Sequence, residues 1–133
     1  MSKLVEELKH EHITIIDTLN KIKELSFSSE EGQNTMSSAK KMFLSHLDKE
    51  DAHLYPVLYK AAKSDSNLKT NLDIFANDME KISKNVLEFF NKYTTESSGI
   101  EFAKDFGTLY ATLIQRIRRE ETIIYQKYDN LNK

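Results

Sequence analysis

The chain has 133 residues, a length that suits one domain around one core, and residues 1–133 are taken as a single domain. Its 19 lysines and arginines against 21 aspartates and glutamates give a formal charge of −2 and a pI near 6.1, which leaves no basic excess for nucleic acid. With no cysteine, disulfide frameworks, thiolate metal sites and thiol catalysis are excluded, and any metal must be held by histidine, carboxylate or water. Apolar stretches run for only a few residues where a spanning helix needs about 20, so no membrane association is expected. Met1 to Glu7 is charged from the start, without the apolar run of a signal peptide, and a cytoplasmic location is expected.

Three glycines and one proline are few breakers for a chain of this length, and turn-forming residues cluster at only three places: Ser26 to Gln33, Ser64 to Asn67 and Thr94 to Gly99. They divide the chain into four helical segments. The first, residues 2–25, carries Leu4, Leu8, His12, Ile15, Leu19 and Ile22 at steps of three and four, which is one stripe of an amphipathic helix with a histidine inside it. The second, 31–63, carries Met36, Ala39, Met42, Phe43, His46, Glu50, His53, Val57 and Tyr59 on or beside its inner face. Pro56 removes a backbone donor and predicts a kink about one turn upstream.

The third segment, 67–93, has an unbroken apolar stripe from Leu68 through Phe75, Met79 and Val86 to Tyr93. The fourth, 100–131, runs Phe102, Phe106, Leu109, Leu113, Arg116 or Ile117, Glu120, Ile124 and Tyr128, so that an arginine and a glutamate enter the stripe. Four helices joined by short loops predict an all-α, up-down-up-down antiparallel four-helix bundle.

The chain also carries an internal repeat. His46 to Pro56 and Arg116 to Gln126 align at an offset of 70, pairing His46 with Arg116, Glu50 with Glu120 and Tyr55 with Tyr125. A weaker match at an offset of 67 sets His12 against Met79. Residues four apart on a helix point to one side, so His46 and Glu50 can converge on one ion, and Arg116 and Glu120 on an anionic group. Imidazole and carboxylate inside an apolar stripe need partners, because burying them alone is costly.

The pattern His46-x-x-x-Glu50-Asp51-x-x-Leu54-Tyr55-Pro56, together with Glu11-His12 and with Glu120-Glu121 followed by Tyr125, resembles the hemerythrin family and its HHE cation-binding domains over essentially the whole chain. The resemblance implies a four-helix bundle and a non-haem di-iron centre in which two carboxylates bridge. One iron is then held by histidines of the first two helices, and the other by histidines of the last two. Here Met79 and Arg116 stand where the second pair would be, and what remains is His12, His46, Glu50 and Glu120.

Two histidines and two carboxylates suit one Fe(II), Mn(II) or Zn(II) ion better than calcium. The implied role is non-haem metal binding, with iron expected at one or two ions per chain, in the sensing or handling of O2, NO or iron. O2 or NO would be the small ligands, and no protein partner is indicated. A metal-free interaction bundle is the alternative, in which Arg116 pairs with Glu50 and Glu120 and leaves His12 and His46 as hydrogen-bonded core residues. A third reading, an O2-dependent oxidoreductase with mononuclear iron, ranks below both because no substrate-binding motif is present.

His53, three residues after Glu50, has the spacing to serve as a further ligand, while His10 falls on the opposite face from His12. Met79 is expected as core packing, since thioethers prefer softer ions. Tyr55 and Tyr125 sit at matched places beyond the two carboxylates, where they can hydrogen-bond to them, act in redox chemistry, or pack with the hydroxyl at a polar edge, packing being the reading preferred.

Overall fold

The computed structural model describes residues 2–24, 30–93 and 99–131, all but a few of them helical and none in a strand. Helix α1 spans Lys3–Glu24. Helix α2 runs in three consecutive parts, Glu30–Lys49, a π-helical turn Glu50–Leu54, and Tyr55–Ala62. Helix α3 is Ser66–Lys92. Helix α4 again has three parts, Gly99–Arg119, a π-helical turn Glu120–Ile124, and Tyr125–Leu131.

The turn between α2 and α3 falls where the Ser64 to Asn67 cluster predicts it. The Asp65 side chain accepts the Leu68 backbone N–H (3.1 Å) as an N-cap, and an ion pair with Lys127 (3.0 Å) ties that corner to the end of α4. At the opposite terminus of the chain, the Ser2 N–H donates to Asp129 (2.8 Å), fastening the start of α1 to the end of α4. Of the first expected loop, residues 26–29 lie outside the described part, and Glu30 to Gln33 is helix. Glu30 and Glu31 suit the positive end of the helix dipole, and Gly32 is buried in the helix wall. The third expected loop lies outside the described residues except for Gly99, which opens α4.

α1 packs beside α2 and α4, and α3 packs beside the same two helices on the other side. The core this creates is split. One apolar cluster joins Ile15, Leu19 and Ile22 of α1 to Met36, Ala39, Phe43, Val86, Phe89, Phe90, Tyr93, Phe106, Leu109 and Leu113. The other joins Val5 and Leu8 to Leu54, Leu58, Ala62, Leu68, Leu72, Phe75, Ile124 and Tyr125. Between them, on three of the four helices, lie the buried polar residues His12, His46, Glu50, Arg116 and Glu120.

The kink expected upstream of Pro56 is present as the π turn Glu50–Leu54, where the Tyr55 N–H reaches back five residues to the Glu50 carbonyl. Proline is not its sole cause. The same i→i+5 bond joins Tyr125 to Glu120 in α4, where Gln126 occupies the place of Pro56, so the offset of 70 read from the sequence is also a repeat in backbone geometry.

Each π turn inserts one extra residue and rotates the helix beyond it. In α2 the inner face therefore passes from Glu50 to Leu54 and Leu58, both fully buried, and not to His53, Val57 and Tyr59, which are exposed.

Phe89 touches the rings of Phe90, Tyr93, Phe102 and Phe106 at centroid distances of 5.0 to 6.3 Å and anchors the first cluster. Phe89→Ala is expected to lower the free energy of unfolding by about 3–5 kcal/mol, measured by urea denaturation.

Candidate metal centre

The polar layer brings four side chains to one point: His12 from α1, His46 and Glu50 from α2, and Glu120 from α4. Each is at most 5% exposed, and one donor atom from each lies within 4.8 Å of the other three. Helix α3 contributes none, and no second group of this kind occurs among the described residues.

A ring of carboxylates outside this group fixes the histidines. His12 Nδ1 lies 2.7 Å from Glu121 Oε2, and His46 Nδ1 lies 2.8 Å from Glu11 Oε1. A carboxylate accepts only from N–H, so the neutral tautomer of each ring carries its proton on Nδ1 and turns an Nε2 lone pair inward. Lys49 donates to Glu11 (2.8 Å) and pairs with Glu7 (3.2 Å), anchoring the outer carboxylate of His46.

The roles of Glu11, Glu121 and Lys49 escape a reading by motif. Glu11 stands next to His12 in sequence but holds His46, and Glu121 stands next to Glu120 but holds His12. Such crossed pairings between helices leave only a weak signal, an acid adjacent to a ligand-type residue.

The two tyrosines reach inward from the ends of the π turns. Tyr55 donates to Glu120 Oε2 (2.8 Å), on the opposite helix. The Tyr125 hydroxyl donates to Glu50 Oε2 (2.7 Å) and also lies 3.1 Å from Glu120 Oε1 and 3.2 Å from His12 Nε2. Both residues thus hydrogen-bond to the carboxylates, one of the roles read from the sequence.

Burial and the Glu120 charge push the Glu50 carboxyl up to about 7, against the opposing pull of His46 and Tyr125. For Glu120 burial acts in the same direction, but the His12 imidazole beside it (3.2 Å) and the Tyr55 hydroxyl outweigh it and hold this carboxyl well below the usual range. Burial, followed by the two carboxylate charges, pushes both phenols far upward. The pair is therefore unequal, Glu120 charged and Glu50 readily protonated.

His53 and Arg116 lie outside the group, and Met79 packs as core, as expected. His53 is exposed, turned out by the extra residue of the π turn, and does not join the group. Met79 is half-buried and packs on the first apolar cluster. It also lines a cavity of about 270 Å³ with Leu47, Glu50, Tyr55 and Phe75. Arg116 is buried but does not pair with Glu50 or Glu120. Its guanidinium lies over the Phe75 ring (4.0 Å), donates to the Phe75 carbonyl (2.8 Å) and faces Asp78 (3.9 Å). The salt-bridge cluster of the metal-free alternative is thus not formed, because α3 offers Arg116 an aromatic face, a carbonyl and an acid nearer than the carboxylates. His10 is exposed, as expected.

The donor set fits a metal ion on one further observation. His46 Nε2 is buried and has no hydrogen-bond partner, and its 3.5 Å separation from Glu50 Oε1 is an ion-pair distance and not a hydrogen bond. A buried nitrogen left open beside two carboxylates and a second imidazole is a place for a cation or a proton.

Without metal, that place falls to a proton. Burial disfavours charge on His46, but Glu50, Glu11 and Glu120 prevail and raise its pKa from 6.5 to about 9. Because the folded state holds this proton more tightly than the unfolded chain, the stability it contributes is complete below pH 6.5 and is lost as the pH rises through about 9. In chelator-treated protein the urea midpoint is expected to fall across that window, and to fall less in His46→Ala.

Residues 3–128 match the family model described as the hemerythrin HHE cation binding domain. No curated protein and no solved structure matches the chain. With nearly its whole length matched and the bundle carrying a buried His/Glu group, the chain belongs to the hemerythrin HHE cation-binding domain family.

Proposed function

We propose that the protein binds a single non-haem iron ion through His12, His46, Glu50 and Glu120 and serves in the sensing or handling of O2, NO or iron. The observation that carries this reading is the open, buried Nε2 of His46 among three other convergent donors. Two imidazoles and two carboxylates form an N/O set of the kind used by non-haem iron, with manganese and zinc as the competing ions. When bound, iron would supply redox chemistry and a position for a diatomic ligand.

The chain's own residues account for the rest. Glu11 and Glu121 keep both imidazoles in the inward-facing tautomer, and Lys49 fixes Glu11. Tyr55 orients Glu120. The cavity beside Met79 borders Glu50 and Tyr55 and has an apolar wall of Leu47, Phe75 and Met79, which suits a small neutral molecule approaching the carboxylate side. Met79 and Arg116 in the half without histidines support one ion over two.

Elemental mass spectrometry on protein purified without affinity-tag metals tests this reading. One iron per chain is expected, lost in His46→Ala. No metal, even after anaerobic loading with Fe(II), would sink the proposal. Two ions per chain would mean that a residue outside the four completes a second position.

A further inference from the structure

We infer that Tyr125 is a fifth ligand, its phenol oxygen binding the ion directly beside Glu50, Glu120 and His12; this inference rests on the metal-binding reading of the site. With metal–ligand bonds of about 2.1 Å, adjacent ligands stand about 3.0 Å apart around an octahedral ion and about 3.4 Å apart around a tetrahedral one. Tyr125 Oη lies 2.7 Å from Glu50 Oε2, 3.1 Å from Glu120 Oε1 and 3.2 Å from His12 Nε2, and His12 Nε2 lies 3.2 Å from Glu120 Oε1. The phenol oxygen thus stands at least as close to three of the four donors as His12 Nε2 stands to Glu120 Oε1.

With Glu50 ionised and His12 neutral, the forms that bind a metal, hydrogen bonding alone does not satisfy this arrangement. A phenol has one proton, and here it meets three acceptors when His12 carries its own proton on Nδ1 toward Glu121. The proton can serve Glu50, the nearest, which leaves the remaining lone pairs of Tyr125, Glu120 and His12 facing one another in a fully buried space. A cation resolves that conflict. Tyr125 is also locked in place: it is 0% exposed, its backbone is set by the π turn, and its ring stacks on His12 at 5.4 Å with a 10° tilt.

Tyr55 serves as an internal comparison. It occupies the matched place in α2, yet among the described residues its hydroxyl hydrogen-bonds to Glu120 Oε2 alone.

On binding, the O–H bond breaks, the oxygen keeps the electron pair and takes the ion, and the proton is released to solvent. Two carboxylates and a phenolate then present three negative charges with two neutral imidazoles, a hard donor set that balances Fe(III) and favours it over Fe(II). Ferric preference suits sensing or iron handling better than reversible O2 carriage, which requires the ferrous state.

The test is spectroscopic. Chelator-stripped protein is loaded anaerobically with Fe(II), oxidised with ferricyanide, freed of excess metal, and assayed for iron content. The expected result is a visible phenolate-to-Fe(III) charge-transfer band with tyrosine ring modes enhanced in resonance Raman, present in wild type and Tyr55→Phe and lost in iron-containing Tyr125→Phe. Iron bound by wild type without such a band would overturn the inference and leave the metal site standing, as would a band that survives Tyr125→Phe or disappears with Tyr55→Phe. No iron in wild type would overturn both. The wild-type Raman spectrum decides by itself whether any tyrosine binds, so the inference can fail even if Tyr125→Phe does not fold.

Discussion

Two carboxylates, Glu50 and Glu120, share the buried centre of a small helical bundle, and the surrounding structure answers the cost of burying them together. Like charges in low dielectric repel, and each would be expensive even alone. The compensation is layered. Tyr55 and Tyr125 hydrogen-bond to the carboxylates, His12 and His46 stand at ion-pair distance, Glu11 and Glu121 hold the histidines from outside, and Lys49 closes the layer near the surface. The result is a polar slab between two apolar clusters, a layout that separates the site from the residues that stabilise the ends of the bundle.

The two π turns are how the backbone meets this demand. Each begins at one of the buried carboxylates and closes on a tyrosine N–H five residues later, and each tyrosine hydroxyl donates to the carboxylate of the other helix. The extra residue also resets the apolar face beyond the site. Leu54, Leu58 and Ile124 pack fully where an unbroken α-helical register would have brought in His53 and Val57. One irregularity thus serves the chemistry and the packing together, which is a common place for π turns to persist.

The halves of the repeat have diverged in what they offer a metal. On the α1 and α2 side, both helices supply imidazole. On the α3 and α4 side, Met79 lines an apolar cavity and Arg116 is drawn onto Phe75 and Asp78, away from the carboxylates. Placing a guanidinium there puts a fixed positive charge near the pair without occupying its oxygens. Both carboxylates therefore remain unpaired with Arg116, as the proposed single-ion site requires.

Much of this was legible in the residue order. The stripes of Leu8, His12, Ile15 and Leu19, and of Leu68, Leu72 and Phe75, determine their helices and buried faces because side chains at steps of three and four must share a side. The pairing of Glu50 with Glu120 and of Tyr55 with Tyr125 was visible as a repeat. Other features could not be read this way. The outward turn of His53 depends on a π turn that periodicity assumes absent. Arg116 had acids on two helices within possible reach, and only the packing of α4 against α3 selected Phe75 and Asp78. The crossed bonds from Glu11 to His46 and from Glu121 to His12 join helices whose relative rotation no single segment encodes. Sequence by itself determined which side chains face inward on each regular helix, because that property is local periodicity. Tertiary structure alone decided which of those side chains meet, because distances between atoms on different helices are set by how the helices pack.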